Sequence, residues 1–266
     1  MVRQEKILRY LALAGVEWEL RESEQSDAAA PADRDEDFAG RLAADLRACR
    51  DGGSVRTALL SGTSGRERVS FVAPKAPLSG ASIIEIARKK AKGADITAAI
   101  SSFIEHPLSI GAKNMVPPAI GGSALLCITD MPSAIDDACG RILSGPDGEL
   151  FDKMISAIGL SRTQISITPL VFWRPAGGRS LADDEIAACR PFIERIAADM
   201  SFARILTLGA TAAFEIGGLS LPREHGKSFE RFGAIGTAIY KPDFIIANPT
   251  VKKDVWEALQ RLAPLA

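Results

Sequence analysis

Gly121-Gly122-Ser123-Ala124-Leu125-Leu126-Cys127-Ile128 is the stretch on which the fold turns. Two glycines interrupt whatever precedes, and apolar residues then follow one another without a polar break. A strand with one wet face alternates polar and apolar residues; a continuous apolar run belongs to a strand covered on both faces. The pattern returns downstream. Ile165 to Val171, Ala203 to Leu208 and Ala234 to Tyr240 read as three further strands. Helices are predicted between and after them. One lies near 147–158 and ends at Gly159, and one opens on a Ser180/Asp183 capping box and runs to Met200. A short one spans Ala210 to Ile216, and a last one is capped by Thr250. Strands alternating with helices predict an α/β protein, a three-layer α/β/α sandwich on a central four-stranded, mainly parallel sheet. Ligands bind such sheets beyond the carboxyl ends of the strands. The loops after Ile128, Val171, Leu208 and Tyr240 are therefore where function is expected.

Upstream the chain is less regular. Met1 to Gly15 reads as a helix with Ile7, Leu8, Leu11 and Leu13 near helical spacing, and residues 37–50 read as another. Residues 22–36 have a linker composition, 51–79 are loop-rich, and helices follow at about 82–92 and 95–105, the second capped by Asp95. The expected division is an N-terminal extension with an acidic, partly mobile linker over 1–79 and an α/β domain over 80–266. A chain of 266 residues with 47% hydrophobic composition supports a sizeable core. Its net charge of -1 gives no global sign of a nucleic-acid partner, yet Glu17 to Asp51 carries 11 acidic residues against 5 arginines. That segment is ordinarily a solvated one and is a candidate protein-binding segment; the rest is mildly basic. Arg88, Lys89, Lys90 and Lys92 form either a solvated helix face or a phosphate contact. With no secretory signal and no apolar run near the ~20 residues of a membrane span, the chain reads as soluble and cytoplasmic, with no membrane partner.

From Leu125 to Leu265 the sequence resembles the uracil-DNA glycosylase superfamily, and within it the bacterial family 4 enzymes that carry an iron–sulfur cluster. The resemblance rests on order and spacing. Its anchors include Gly140-Arg141, Leu150-Phe151-Asp152-Lys153-Met154, Ile167-Thr168, Arg174-Pro175, Glu185-Ile186-Ala187-Ala188-Cys189-Arg190-Pro191-Phe192, Leu208-Gly209-Ala210-Thr211 and Asn248-Pro249. It implies a protein that acts on DNA in base excision repair. Excision extrudes the nucleotide, stabilises a cationic sugar and receives a negatively charged base.

Set against the family's motifs, the site residues are mostly replaced. The first loop, Gly-Glu-(Ala/Gly)-Pro-Gly in the family, reads Thr129-Asp130-Met131-Pro132-Ser133. Asp130 is the candidate catalytic carboxylate, one methylene shorter than glutamate; the plainer alternative is a strand-end Asp capping local amides. Leu143 takes the place of the aromatic that stacks on the flipped base, so the π-face is gone. Pro169 stands where an Asn reads the pyrimidine edge, and it has no group with which to read it. Lys241-Pro242 replaces His-Pro; Lys241 is either a positive charge for the departing base or a surface lysine near phosphate, with Asp243 pairing beside it. The two histidines, His106 and His225, read as surface or structural residues.

The implied cluster needs four thiolates. Only Cys189 falls at a matching position; Trp173 and His106 stand where two others would be, so no metal and no cofactor is expected. Cys127 reads as a buried strand residue. Three readings follow: a glycosylase with weak, altered or absent base-excision activity, a non-enzymatic DNA- or protein-binding relative, and, without a motif behind it, a hydrolase of another small nucleoside or base derivative.

Overall fold

The computed structural model describes residues 79–262. The readings above for residues 1–78, including the acidic segment, lie outside the described residues. In chain order the elements are α1 (Gly80–Ala91), α2 (Ile96–Ser101), β1 (Leu125–Thr129), α3 (Ala134–Cys139), α4 (Gly145–Ala157), β2 (Ile165–Pro169) and α5 (Asp183–Met200). They continue with β3 (Arg204–Leu208), α6 (Ala210–Gly217), β4 (Ser228–Arg231), β5 (Ala234–Ile239), α7 (Pro242–Ala247) and α8 (Lys252–Gln260).

The strands form one sheet in the order β2-β1-β3-β5-β4. β1 lies parallel between β2, where Thr129 faces Pro169, and β3, where Leu126 faces Ile205. β3 pairs in parallel with β5, Leu208 opposite Ile239. Alternation along β1 explains its unbroken apolar run. Leu126 and Ile128 enter one core with Phe172, Phe192 and Ile193, while Leu125 and Cys127 enter another with Phe151, Met154 and Val255. A covered sheet needs apolar residues at every position, because each face buries every second one.

The sheet has five strands rather than the four expected. β4 is antiparallel to β5 and closes an edge, with Arg231 opposite Ala234. Only Phe229 of its four residues is buried, so its sequence lacks the apolar run that marks the other strands. Phe232 and Gly233, at φ 52° and 74°, make the two-residue connection that hairpin twist favours. Phe229 lies over Gly217 and Gly236, where any Cβ would overlap its ring.

Local signals fared unevenly. Asp95 does cap α2, its Oδ1 accepting from the Thr97 amide at 2.8 Å, though that helix ends at Ser101. The helix expected to open at Ser180 begins at Asp183, and Glu185, not Ser180, accepts from the Ala182 amide at 2.9 Å. Thr250 makes no cap: a 3-10 turn over Pro249–Val251 precedes α8. α3 and α7, six residues each, were not expected from the sequence; α3 is nucleated by Ser133 and Asp136, which cap each other's backbone amides at 3.1 and 3.0 Å. Among the described residues no helix is long and apolar enough to cross a membrane.

Candidate active site

The carboxyl ends of β1, β2, β3 and β5 bring together the loops singled out from the sequence. Asp130 leaves β1 and turns toward the start of α6. Its Oδ1 accepts from the Ala212 amide at 2.6 Å, and the Thr211 backbone adds a second hydrogen bond. Gly209 makes this approach possible. It sits at φ 112°, and a Cβ there would overlap the Asp130 carboxylate. Burial pushes the Asp130 pKa above the usual carboxylate value, and the Ala212 amide, Lys241 and Thr211 oppose that rise without cancelling it.

The rest of the first loop is structural in its contacts. Thr129 is buried, and its hydroxyl has no hydrogen-bond partner among the described residues. Met131 packs against the first core, and the Pro132 carbonyl accepts from Arg174 Nη1 at 2.8 Å. Ser133 caps α3, whose Asp136 also accepts from the Ser144 amide at 2.7 Å and so ties this loop to the next.

Leu143 sits at φ 50° and is 4% exposed, packed into the second core with Ile142 and Phe151. Its carbonyl accepts from Arg162 Nη2 at 2.7 Å, and Arg162 pairs with Asp152 at 2.6 Å. Beside it lies an open cleft of about 320 Å³ lined by residues that include Arg141, Leu143, Ser144, Glu149 and Asp152; Asp130 and Lys241 do not line it. Pro169 ends β2 and is buried on that outer strand, a place where the missing amide does no harm.

Lys241 and Pro242 open α7. Lys241 Nζ lies 3.2 Å from Asp243 Oδ2, and its side chain is 17% exposed against 52% for its partner. The pairing with Asp243 was anticipated from the sequence; the depth of the lysine was not. Tyr240, just before it, is the middle ring of a stack between His225 at 4.3 Å and the exposed Phe244 at 4.8 Å. Burial lowers the His225 pKa.

One residue at this place escaped the sequence reading. Asp147, in the first turn of α4, has Asp243, Lys241 and Asp136 as its electrostatic neighbours. Burial first, then Asp243, pushes its pKa up to about 6, against the pull of Lys241. No local sequence signal marks it, since an Asp in a first helical turn is ordinary.

His106 and Trp173 also meet, beside the core that buries Cys189 and away from these charges. His106 is fully buried, which corrects the surface alternative, and stacks on Trp173 at 5.0 Å and 16°. Its Nδ1 accepts from the Leu108 amide at 3.2 Å, so Nε2 carries the proton and donates to the Glu185 carbonyl at 3.0 Å. Phe103 packs edge-on to the imidazole at 5.8 Å, and Phe172 and Phe192 complete the cluster. Cys189 is buried in the same core, where desolvation pushes its thiol up to about 12. A four-thiolate cluster does not fit these residues: two of the positions are an imidazole already hydrogen-bonded at both nitrogens and an indole. Among the described residues no group of three or more His, Cys, Asp or Glu is placed to hold a metal ion.

A mainly parallel sheet covered on both faces, with charged residues gathered at its carboxyl ends, defines an α/β protein of the ligand-at-strand-ends class. The family model of the uracil DNA glycosylase superfamily matches residues 119–263, more than half of the chain, and the chain belongs to that superfamily. It is similar to proteins named type-4 uracil-DNA glycosylase. With the one from Sulfurisphaera tokodaii it shares 29% identity over 153 residues, 53% of this chain and 70% of that protein. With that from Saccharolobus solfataricus it shares 29% over 163 residues, covering 56% and 75%. With that from Archaeoglobus fulgidus it shares 25% over 182 residues, covering 64% and 92%.

Proposed function

We propose that the protein acts on DNA in base excision repair, as an N-glycosidase whose preferred base is not uracil. The observation that carries this reading is the seating of Lys241 at the carboxyl end of β5, mostly buried and electrostatically coupled to Asp130 at the end of β1. Cleavage of an N-glycosidic bond leaves negative charge on the base and positive charge on the sugar. A sheltered ammonium serves the first and a carboxylate the second, and both act more strongly away from bulk water. Pro169 offers no side-chain donor or acceptor and Leu143 no aromatic face, so these two positions supply neither of the contacts that would single out uracil. The names of the relatives support DNA as the substrate.

A second reading is a non-enzymatic DNA- or protein-binding module. It is favoured by one observation: the Asp130 carboxylate is already engaged by α6 amides. Single-turnover assays on strands containing uracil, hypoxanthine or xanthine, with enzyme in excess, separate the two. Release of a base other than uracil at the higher rate supports the enzyme. Salt-dependent DNA binding without release of any base supports the module, and absence of both refutes a role on DNA.

A further inference from the structure

The site holds several carboxylates, and they are not equivalent. Asp130 is tied to the amides of Ala212 and Thr211. Asp136 accepts from the amides of Ser133 and Ser144. Asp243 is half exposed, and it pairs with Lys241 and with the Phe244 amide. Asp147 alone of these makes no hydrogen bond to any described residue, although it is partly buried at the turn where α4 packs on α7.

Resting on the glycosidase reading, we infer that Asp147 is the catalytic base that takes the proton from water, while Asp130, its oxygens held by the amides at the start of α6, acts on the sugar charge from a fixed position and not as the proton acceptor. Three features support the assignment. Asp147 belongs to a rigid turn, because Gly148 is held against the Leu143 carbonyl so tightly that a Cβ would overlap it. Lys241, the site's cation, is among its electrostatic neighbours, across the packing of α4 on α7. It also retains a proton more readily than an ordinary carboxylate, which suits a base working near neutral pH.

In the reaction the C1′–N bond breaks, with its electron pair leaving on the base. The oxygen of a water molecule bonds to C1′, and its proton passes to the Asp147 carboxylate. The departing base takes a proton from the Lys241 ammonium. Solvent returns Asp147 and Lys241 to their starting states, so the net change is addition of water across the glycosidic bond.

The test is single-turnover base release by the full chain between pH 5 and 8, in roughly unit steps, for the wild type, Asp147→Asn, Asp147→Glu and Asp130→Asn. Strands carry uracil, hypoxanthine or xanthine, and thermal unfolding verifies that each variant is folded. The wild-type rate is expected to rise with pH through a midpoint near 6, where Asp147 ionises. Asp147→Asn is expected to lose about 10²-fold or more and to flatten that rise, which Asp147→Glu restores in part. Asp147→Asn with the wild-type rate and the same pH profile overturns the inference while the glycosidase reading stands. If the wild type releases no base, the glycosidase reading falls, and the inference with it.

Discussion

At the residue scale the site is governed by which polar atoms are already engaged. Asp130 and Asp147 are the same side chain in two surroundings. One spends its oxygens on helix amides, and the other faces a lysine and two further carboxylates. Because burial raises the Asp130 pKa, its charged form is less stable in the folded protein than in the unfolded chain. The contribution therefore falls as pH rises from the unfolded value near 3.8 through the folded one, and at neutral pH ionised Asp130 lowers stability. Asp130→Asn keeps an oxygen for the Ala212 amide and removes the charge. It is expected to match or exceed the wild type in urea unfolding at pH 7, whereas Asp130→Ala loses about 1 kcal/mol with the cap. A loss in Asn as large as that in Ala would show that the charge itself holds the loop.

At the element scale the strands that carry the site were legible in sequence because both of their faces are buried. β4 was not: one buried phenylalanine makes no pattern, and its pairing depends on Gly217 and Gly236 leaving room for a ring. The six-residue helices α3 and α7 lie below the length at which periodicity speaks. The segment from Arg141 to Gly145 is held by contacts distant in sequence, through Arg162 to the Ile142 and Leu143 carbonyls and through Asp136 to the Ser144 amide. Gly148 is the contact point of that segment with α4. Gly148→Ala is expected to push the segment off the helix, lowering stability by about 1–3 kcal/mol as other overpacked sites do, with a fall in thermal midpoint as the measure. An unchanged midpoint would mean that the segment yields freely.

At the scale of the whole molecule, the aromatic cluster around His106 joins the segment after α2 to α5 and the chain beyond β2, where the family resemblance implied metal ligands. Burial lowers the His106 pKa, so the unfolded chain takes up the proton more readily than the folded protein. Stability is then lost as pH falls below the unfolded value of 6.5. His106→Phe keeps a ring against Trp173 but leaves the Leu108 amide and the Glu185 carbonyl unpaired. It is expected to cost about 1–3 kcal/mol at pH 7, and its thermal midpoint should fall less than that of the wild type between pH 7 and 5.5, roughly one and a half units of acidification across that titration. An equal fall would exclude His106 as the group responsible. By itself the sequence determined the layered, mainly parallel sheet, the strand ends as the place of the candidate site, and the replacement of the expected base-reading groups. These are carried by residue type and order, and burial on two faces leaves a one-dimensional trace. Only the tertiary structure decided which carboxylate oxygens are engaged by backbone amides among the described residues. Asp147 comes under the electrostatic influence of Lys241 and Asp243 through the packing of α4 on α7, and Asp130 is engaged because Gly209 lets the start of α6 come close; neither relation is written in the residues' own sequence neighbours.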